Sequence, residues 1–149
     1  MRVAIIDMGT NTFNLLVAES NGNNQYQTLH NSKYFVKLGE GGISRNLIAP
    51  EAWERGLKAI DSHMSIISTF NVDKVFAFAT SATRDAENGG SFVDEIFKKH
   101  NLKVDIIKGE QEALLIYRGV RQAIELGNQV NLILDIGGGS NEVILCDAK

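Results

Sequence analysis

Residues 132–145 read LILDIGGGSNEVIL. Three consecutive glycines separate a pair of short apolar runs, with Asp135 in front of them and Ser140 behind. Two such runs about a glycine turn predict a strand–turn–strand unit. The same unit stands near the start of the chain, where residues 3–17 read VAIIDMGTNTFNLLV. Offset by 128 positions, with no gap, Asp7 falls on Asp135, Gly9 on Gly137 and Thr12 on Ser140. Leu15, Leu16 and Val17 fall on Val143, Ile144 and Leu145.

This pattern suits phosphate. Glycine lets the backbone approach a ligand closely, and successive backbone N–H groups can converge on an anion. The hydroxyls of Thr10, Thr12 and Ser140 add neutral donors. Asp7 and Asp135 would repel phosphate directly, but each can hold a divalent cation, directly or through water, and the cation bridges to phosphate. Two hairpins facing one another would hold one phosphate from both sides. A single Asp-x-Gly between strands is most often a plain β-turn; it is the gap-free duplication that favours phosphate binding.

Two stretches between the hairpins carry further candidates. GEQEALLIYRGV, residues 109–120, places Glu110 and Glu112 in the first turn of a helix. Acidic residues there favour the helix dipole by about 0.3–1 kcal/mol, which alone would explain one of them. Either could instead be a general base for water if it points into the cleft; spacing does not choose. ATSATRDAENGG, residues 79–90, follows a strand end. Its small hydroxylated residues and Arg84 suit a phosphate contact, or equally a helix cap beside a surface arginine.

Composition narrows the alternatives. The 149 residues fit one domain with a real core. The net charge is −3 and the basic residues are scattered, so no nucleic-acid stripe is present and no DNA partner is expected. Cys146 is the single cysteine, which excludes an intramolecular disulfide and fits a reduced, cytoplasmic setting. No apolar run reaches membrane-spanning length, and the N-terminus is not expected to be a signal peptide. His30, His63 and His100 show no ligand spacing and read as surface or packing residues. Trp53 reads as core, Cys146 as a small buried hydrophobe, and Lys98 and Lys99 as favourable charges at a helix C-terminus.

Strands are expected at 3–6, 12–19, 25–38, 74–79 and 103–107, with the third on a sheet edge and the fourth buried. A flexible loop is expected at 39–44. Pro50 opens a helix over 50–70, whose apolar face is Trp53, Leu57, Ile60, Met64 and Ile67. Phe92, Ile96 and Phe97 mark a shorter helix ending near His100. Ala113, Ile116, Tyr117, Val120 and Ile124 mark a third over 110–126. The order β-β-β-α-β-α-β-α-β-β implies a mixed α/β sheet that begins as an antiparallel meander.

Taken together, IIDMGTNTFNLLVAE, ATSATRDAENG, GEQEALLIYRGV and LILDIGGGSNEVIL, in this order and spacing, closely resemble the exopolyphosphatase / guanosine pentaphosphate phosphohydrolase family. That family lies in the acetate kinase, sugar kinase, heat-shock chaperone and actin superfamily. The resemblance implies a ribonuclease H-like domain, as in actin-like ATPases, with a five-stranded mixed sheet and flanking helices over 1–128. It implies that 129–149 is the first hairpin of a second such domain, so the chain reads as an N-terminal portion. It further implies Mg²⁺-dependent hydrolysis of a terminal phosphoanhydride in inorganic polyphosphate or guanosine pentaphosphate. Gly9, Thr10 and Asn11 match the first phosphate loop, and Gly137, Gly138, Gly139 and Ser140 the second. Asp7 and Asp135 match metal-associated carboxylates, and Glu142 is a further metal or catalytic carboxylate. Glu112 matches the base that activates water, and Arg84 the arginine that follows the strand.

Departures are mild: Thr10 and Thr12 stand where Ser is usual, Asn141 where Thr is usual, and Gln111 where Glu is common. The partners expected are the substrate, the remainder of the second domain and, at full length, a second copy of the protein. Other readings are an ATP-dependent kinase or actin-like ATPase of the same superfamily, or a non-catalytic module that binds polyphosphate or alarmone nucleotides. The isolated chain is expected to be nearly inactive, with apolar edges left open at its C-terminal hairpin.

Overall fold

The structure is a computed structural model that describes residues 1–22 and 25–147. Residues 148 and 149, the end of the expected second segment, lie outside the described residues. The strands are β1 (Arg2–Met8), β2 (Thr12–Ser20), β3 (Tyr26–Phe35), β4 (Lys74–Ala79), β5 (Val104–Ile106), β6 (Asn131–Ile136) and β7 (Asn141–Cys146). The helices are α1 (Pro50–Ile67), α2 (Ser81–Arg84), α3 (Gly89–His100) and α4 (Gly109–Ala123). The first five strands form one mixed sheet in the order β3-β2-β1-β4-β5, and β6 and β7 form a separate two-stranded sheet. β1 runs antiparallel to β2 and parallel to β4. This is the arrangement expected of a ribonuclease H-like domain followed by a hairpin.

Alternation along β1 and β2 sets the two faces of the sheet. Ala4, Ile6, Met8, Phe13, Leu15 and Val17 are fully buried. They pack with Leu57, Ile60 and Ile67 of α1 and Phe92 and Ile96 of α3 in one core. Asp7, Thr12 and Asn14 fall on the opposite face by the same alternation. Pro50 stands in the first turn of α1, where its missing N–H has no partner to lose. The two helices approach closely at Gly56, where a Cβ would come within 2.6 Å of Phe92 Cζ. Asn101, in the left-handed region at φ 52°, ends α3.

Several sequence expectations need correction. β4 is not wholly buried: Phe76 lies on the uncovered face and is 44% exposed. Phe97 is 50% exposed, because only Phe92 and Ile96 of α3 turn to the core. Trp53 is half-buried, edge-on to Phe92, and its indole N–H donates to Glu95 at 2.8 Å. The third strand stops at Phe35 rather than 38, because Lys37 takes φ 49° and the backbone turns toward the first hairpin. A short helix, α2, that the periodicity does not announce fills the start of the ATSATR stretch. The loop over 39–44 runs into a 3-10 turn at Ile43–Arg45. α4 ends at Ala123, three residues before its expected limit, and none of its residues is fully buried. His63 is wholly buried and its Nε2–H donates to the Phe13 carbonyl at 3.3 Å, and His100 pairs with Asp61. Among the described residues no helix is long and apolar enough to cross a membrane.

Candidate active site

The duplication seen in sequence is a duplication in three dimensions. In the first hairpin Asp7 pairs with Asn14 and Met8 with Phe13. In the second, Asp135 pairs with Glu142 and Ile136 with Asn141, the same register 128 residues on. Gly9 N–H donates to the Thr12 carbonyl at 3.0 Å, and Gly137 N–H donates to the Ser140 carbonyl at 3.0 Å. Each bend is therefore closed by one backbone hydrogen bond in the same place.

The two bends meet. Gly138 lies directly against the Asn11 side chain. A Cβ on Gly139 would sit 2.5 Å from Thr10 Oγ1 and 2.6 Å from Ser81 Oγ. Close backbone approach, rather than turn geometry alone, is what requires glycine there. Thr10 Oγ1 and Ser81 Oγ share a buried hydrogen bond of 2.8 Å, which ties the first bend to the start of α2. Sequence reasoning misses Ser81; its one signal is the hydroxyl-rich strand end. Ser140 contributes the carbonyl that closes its own bend.

The acidic residues gather around this junction. Arg84 Nη1 donates to Glu112 Oε2 at 3.0 Å and to the Ile107 carbonyl at 3.2 Å, while Nε donates to Asp85 at 3.3 Å. The structure thus distinguishes the two candidate glutamates: Glu112 is drawn inward, its side chain 15% exposed, whereas Glu110 is exposed. It also shows Arg84 as an inward partner rather than a free surface charge. Desolvation raises the Glu112 pKa above the usual carboxylate value; the Arg84 hydrogen bond opposes this, and repulsion from Glu142 and Asp7 adds to it. Asp7 keeps contact with solvent, yet desolvation by its surroundings raises its pKa. The hydrogen bond from Asn14 Nδ2, at 3.0 Å, opposes that rise, and repulsion from Asp135 adds to it.

Asp7, Asp135, Glu112, Glu142 and Arg84 are thus electrostatic neighbours, although they come from five different elements. Glu142 is only 9% exposed and sits opposite Asp135, where the first hairpin has the neutral Asn14. Like charges directly opposite on a sheet are unfavourable. Among the described residues no group of three or more His, Cys, Asp or Glu side chains is gathered closely enough to hold a metal ion by itself.

A five-stranded mixed sheet whose first hairpin is met by a matching glycine hairpin defines the class: an α/β domain of the ribonuclease H-like kind carrying a duplicated bend. The chain belongs to the Ppx/GppA phosphatase family, whose sequence pattern matches residues 16–149. It is 41% identical to an exopolyphosphatase of Cytophaga hutchinsonii whose crystal structure it matches with a TM-score of 0.95, covering 99% of this chain and 47% of that one. It is 32% identical over 143 residues to Exopolyphosphatase 1 of Mycobacterium bovis, covering 96% of this chain and 42% of the relative. It is 36% identical over 143 residues to a guanosine-5'-triphosphate,3'-diphosphate pyrophosphatase of Photobacterium profundum, covering 95% of this chain and 28% of the relative. The chain spans less than half the length of each of these proteins.

Proposed function

We propose that the full-length protein is a phosphohydrolase that releases terminal orthophosphate from inorganic polyphosphate, guanosine pentaphosphate or both. The observation that carries this reading is the meeting of two identically registered glycine bends beside an ion-paired glutamate. The backbone amides of Thr10 and Asn11 and of Gly138 to Ser140 bind the terminal phosphate oxygens, and the Thr10 hydroxyl orients them, while the amides of Gly9 and Gly137 hold the two bends closed. Glu112 takes the proton of the attacking water at Oε1, the oxygen that Arg84 leaves free; a raised pKa makes it a better proton acceptor than an ordinary carboxylate. Arg84 fixes the Glu112 carboxylate and offsets charge on the departing phosphate.

The donor set fits a hard dication. It is all oxygen, and the Asp135–Glu142 pair has no cation partner among the described residues. Mg²⁺ is commonly held by one or two carboxylates together with phosphate oxygens and water, so a three-carboxylate cage is not required. Asp7, Asp135 and Glu142 are the residues that would hold it, and it would neutralise charge on the phosphates. Residues 129–149 then open a second domain that supplies the other cleft wall. At full length the protein is cytoplasmic and a homodimer.

Malachite-green assay of phosphate release tests the reading. Glu112→Ala in the full-length protein should lower kcat about 10²–10⁴-fold with polyphosphate binding retained. Undiminished turnover by that variant would remove the glutamate from the chemistry. The isolated 149-residue chain should show almost no turnover beside the full-length protein; comparable rates would contradict a two-walled cleft.

A further inference from the structure

The end of β3 is tied to the first bend in an unusual way. Val36 and Lys37 N–H both donate to the Asn11 carbonyl, at 3.0 and 2.9 Å, and Leu38 N–H donates to the Thr10 carbonyl at 2.7 Å. Arg55 straps the same segment from the α1 side. Its Nε donates to the Val36 carbonyl at 2.8 Å, and its Nη2 donates to the Lys37 carbonyl at 3.1 Å and to Glu40 at 2.7 Å. Lys37 is thereby held at φ 49°, a region that a non-glycine residue occupies at a cost.

A groove of about 450 Å³ opens beside it, lined by Thr10, Asn11 and Gly138 of the two bends and by Phe35, Lys37 and Glu40. Lys37 has no ion-pair partner among the described residues, whereas Glu40 is paired with Arg55, so the groove carries an uncompensated positive charge. Phe35 lies across the strand pair from Thr12 and is 77% exposed. A second cavity at the bends, of about 130 Å³ beside Gly139 and Ser81, has Asp85 in its wall and no Lys or Arg among its lining residues. Arg84, which faces the Glu112 side of the bends, is paired with both Glu112 and Asp85 and leaves little charge for phosphates beyond the terminal one.

We infer that this groove is a second anion subsite, in which Lys37 binds the phosphate groups that follow the terminal one. The inference rests on the phosphohydrolase reading of the bends and deepens it. A substrate with several linked phosphates needs counter-charge beyond the bend amides, and lysine supplies it as a point charge that tolerates a moving chain. The strap from Arg55 keeps that charge beside the bends without spending it on a protein carboxylate. Linked phosphates could come from inorganic polyphosphate or from a nucleoside polyphosphate; in the second case Phe35 offers a face on which a base can stack.

The test compares Lys37→Met and Lys37→Arg in the full-length protein, with polyphosphate and guanosine pentaphosphate as substrates and Glu112→Ala as a parallel control. Lys37→Met should raise KM about tenfold with kcat within about twofold of wild type, and Lys37→Arg should restore most of the affinity. The rise in KM should shrink as salt is added, because an exposed charge is screened. The substrate whose KM rises identifies the source of the chain, and loss on Phe35→Ala confined to guanosine pentaphosphate would place a nucleoside there. Unchanged KM for both substrates in Lys37→Met, with Glu112→Ala inactive, overturns the subsite and leaves the function standing. If Glu112→Ala is fully active the functional reading falls instead, and calorimetric titration with tripolyphosphate judges Lys37 separately: equal affinity of wild type and Lys37→Met overturns the subsite.

Discussion

Glu112 and Arg84 form the closest acid–base contact of the candidate site, and their coupling has a direction. Desolvation raises the glutamate pKa, and the Arg84 hydrogen bond pulls it back down. A general base works in its ionised form, so activity should climb with pH through a limb lying above the ordinary glutamate range. Arg84→Met removes the lowering influence and leaves Glu142 and Asp7 repulsion in place. The acid limb of the kcat/KM profile should therefore move to higher pH in that variant. An unmoved limb, or a shift to lower pH, would show that Arg84 does not set the proton affinity of this carboxylate. Glu142 raises a related point: it occupies the position that Asn14 holds in the first hairpin, so one copy of the duplication is neutral there and the other acidic.

At the scale of elements, two glycines report on two different contacts. Gly56 lets α1 lie against Phe92 of α3, and an added Cβ would also crowd Leu38 Cδ1 at 3.3 Å. Gly56→Ala overpacks this contact and should cost about 1–3 kcal/mol of stability. Urea denaturation followed by circular dichroism reads that loss; an unchanged midpoint would mean that the helices separate freely. Gly139 belongs to the meeting of the bends. Gly139→Ala pushes on Thr10 and Ser81, so it should lower turnover of the full-length protein well over tenfold. It should leave the melting of the main sheet nearly intact, since β6 and β7 form a separate sheet. A variant with full turnover would show that the bends need not touch.

On the scale of the whole molecule, the covered and uncovered faces of the β6–β7 hairpin differ. α4 packs against β7 on one side, and Tyr117 Oη donates to the Asp147 carbonyl at 3.1 Å. Leu132, Leu134, Ile136, Val143 and Leu145 share the other side by strand alternation and cross-strand pairing, and all five are exposed. Five adjacent apolar side chains make a patch large enough to drive association, and a two-stranded ribbon alone is marginally stable. The 149-residue chain should thus show a concentration-dependent mass by light scattering. Leu134→Lys combined with Leu145→Lys should return it toward the monomer; a monomeric wild-type chain at all concentrations would refute this.

Local signals in the chain suffice for the duplicated hairpins, the approximate strand positions and the glycines and hydroxyls of both bends. Those signals act over a few residues: period-two alternation, glycine and aspartate at turns, and proline at a helix start. The end of β3, the short α2 and the exposed faces of Phe76 and Phe97 are not legible, because they depend on which neighbours the fold supplies. The same holds for the site. Spacing leaves Glu110 and Glu112 equivalent and the family resemblance favours Glu112; the contact that draws Glu112 inward comes from Arg84, 28 residues earlier. Thr10 meets Ser81 across 71 residues, and the backbone at Lys37 is tied to the first bend through the Asn11 carbonyl and to α1 through Arg55. Spacing along the chain sets which face of an element a side chain occupies; the partner it finds there is decided by packing between elements that are distant in sequence.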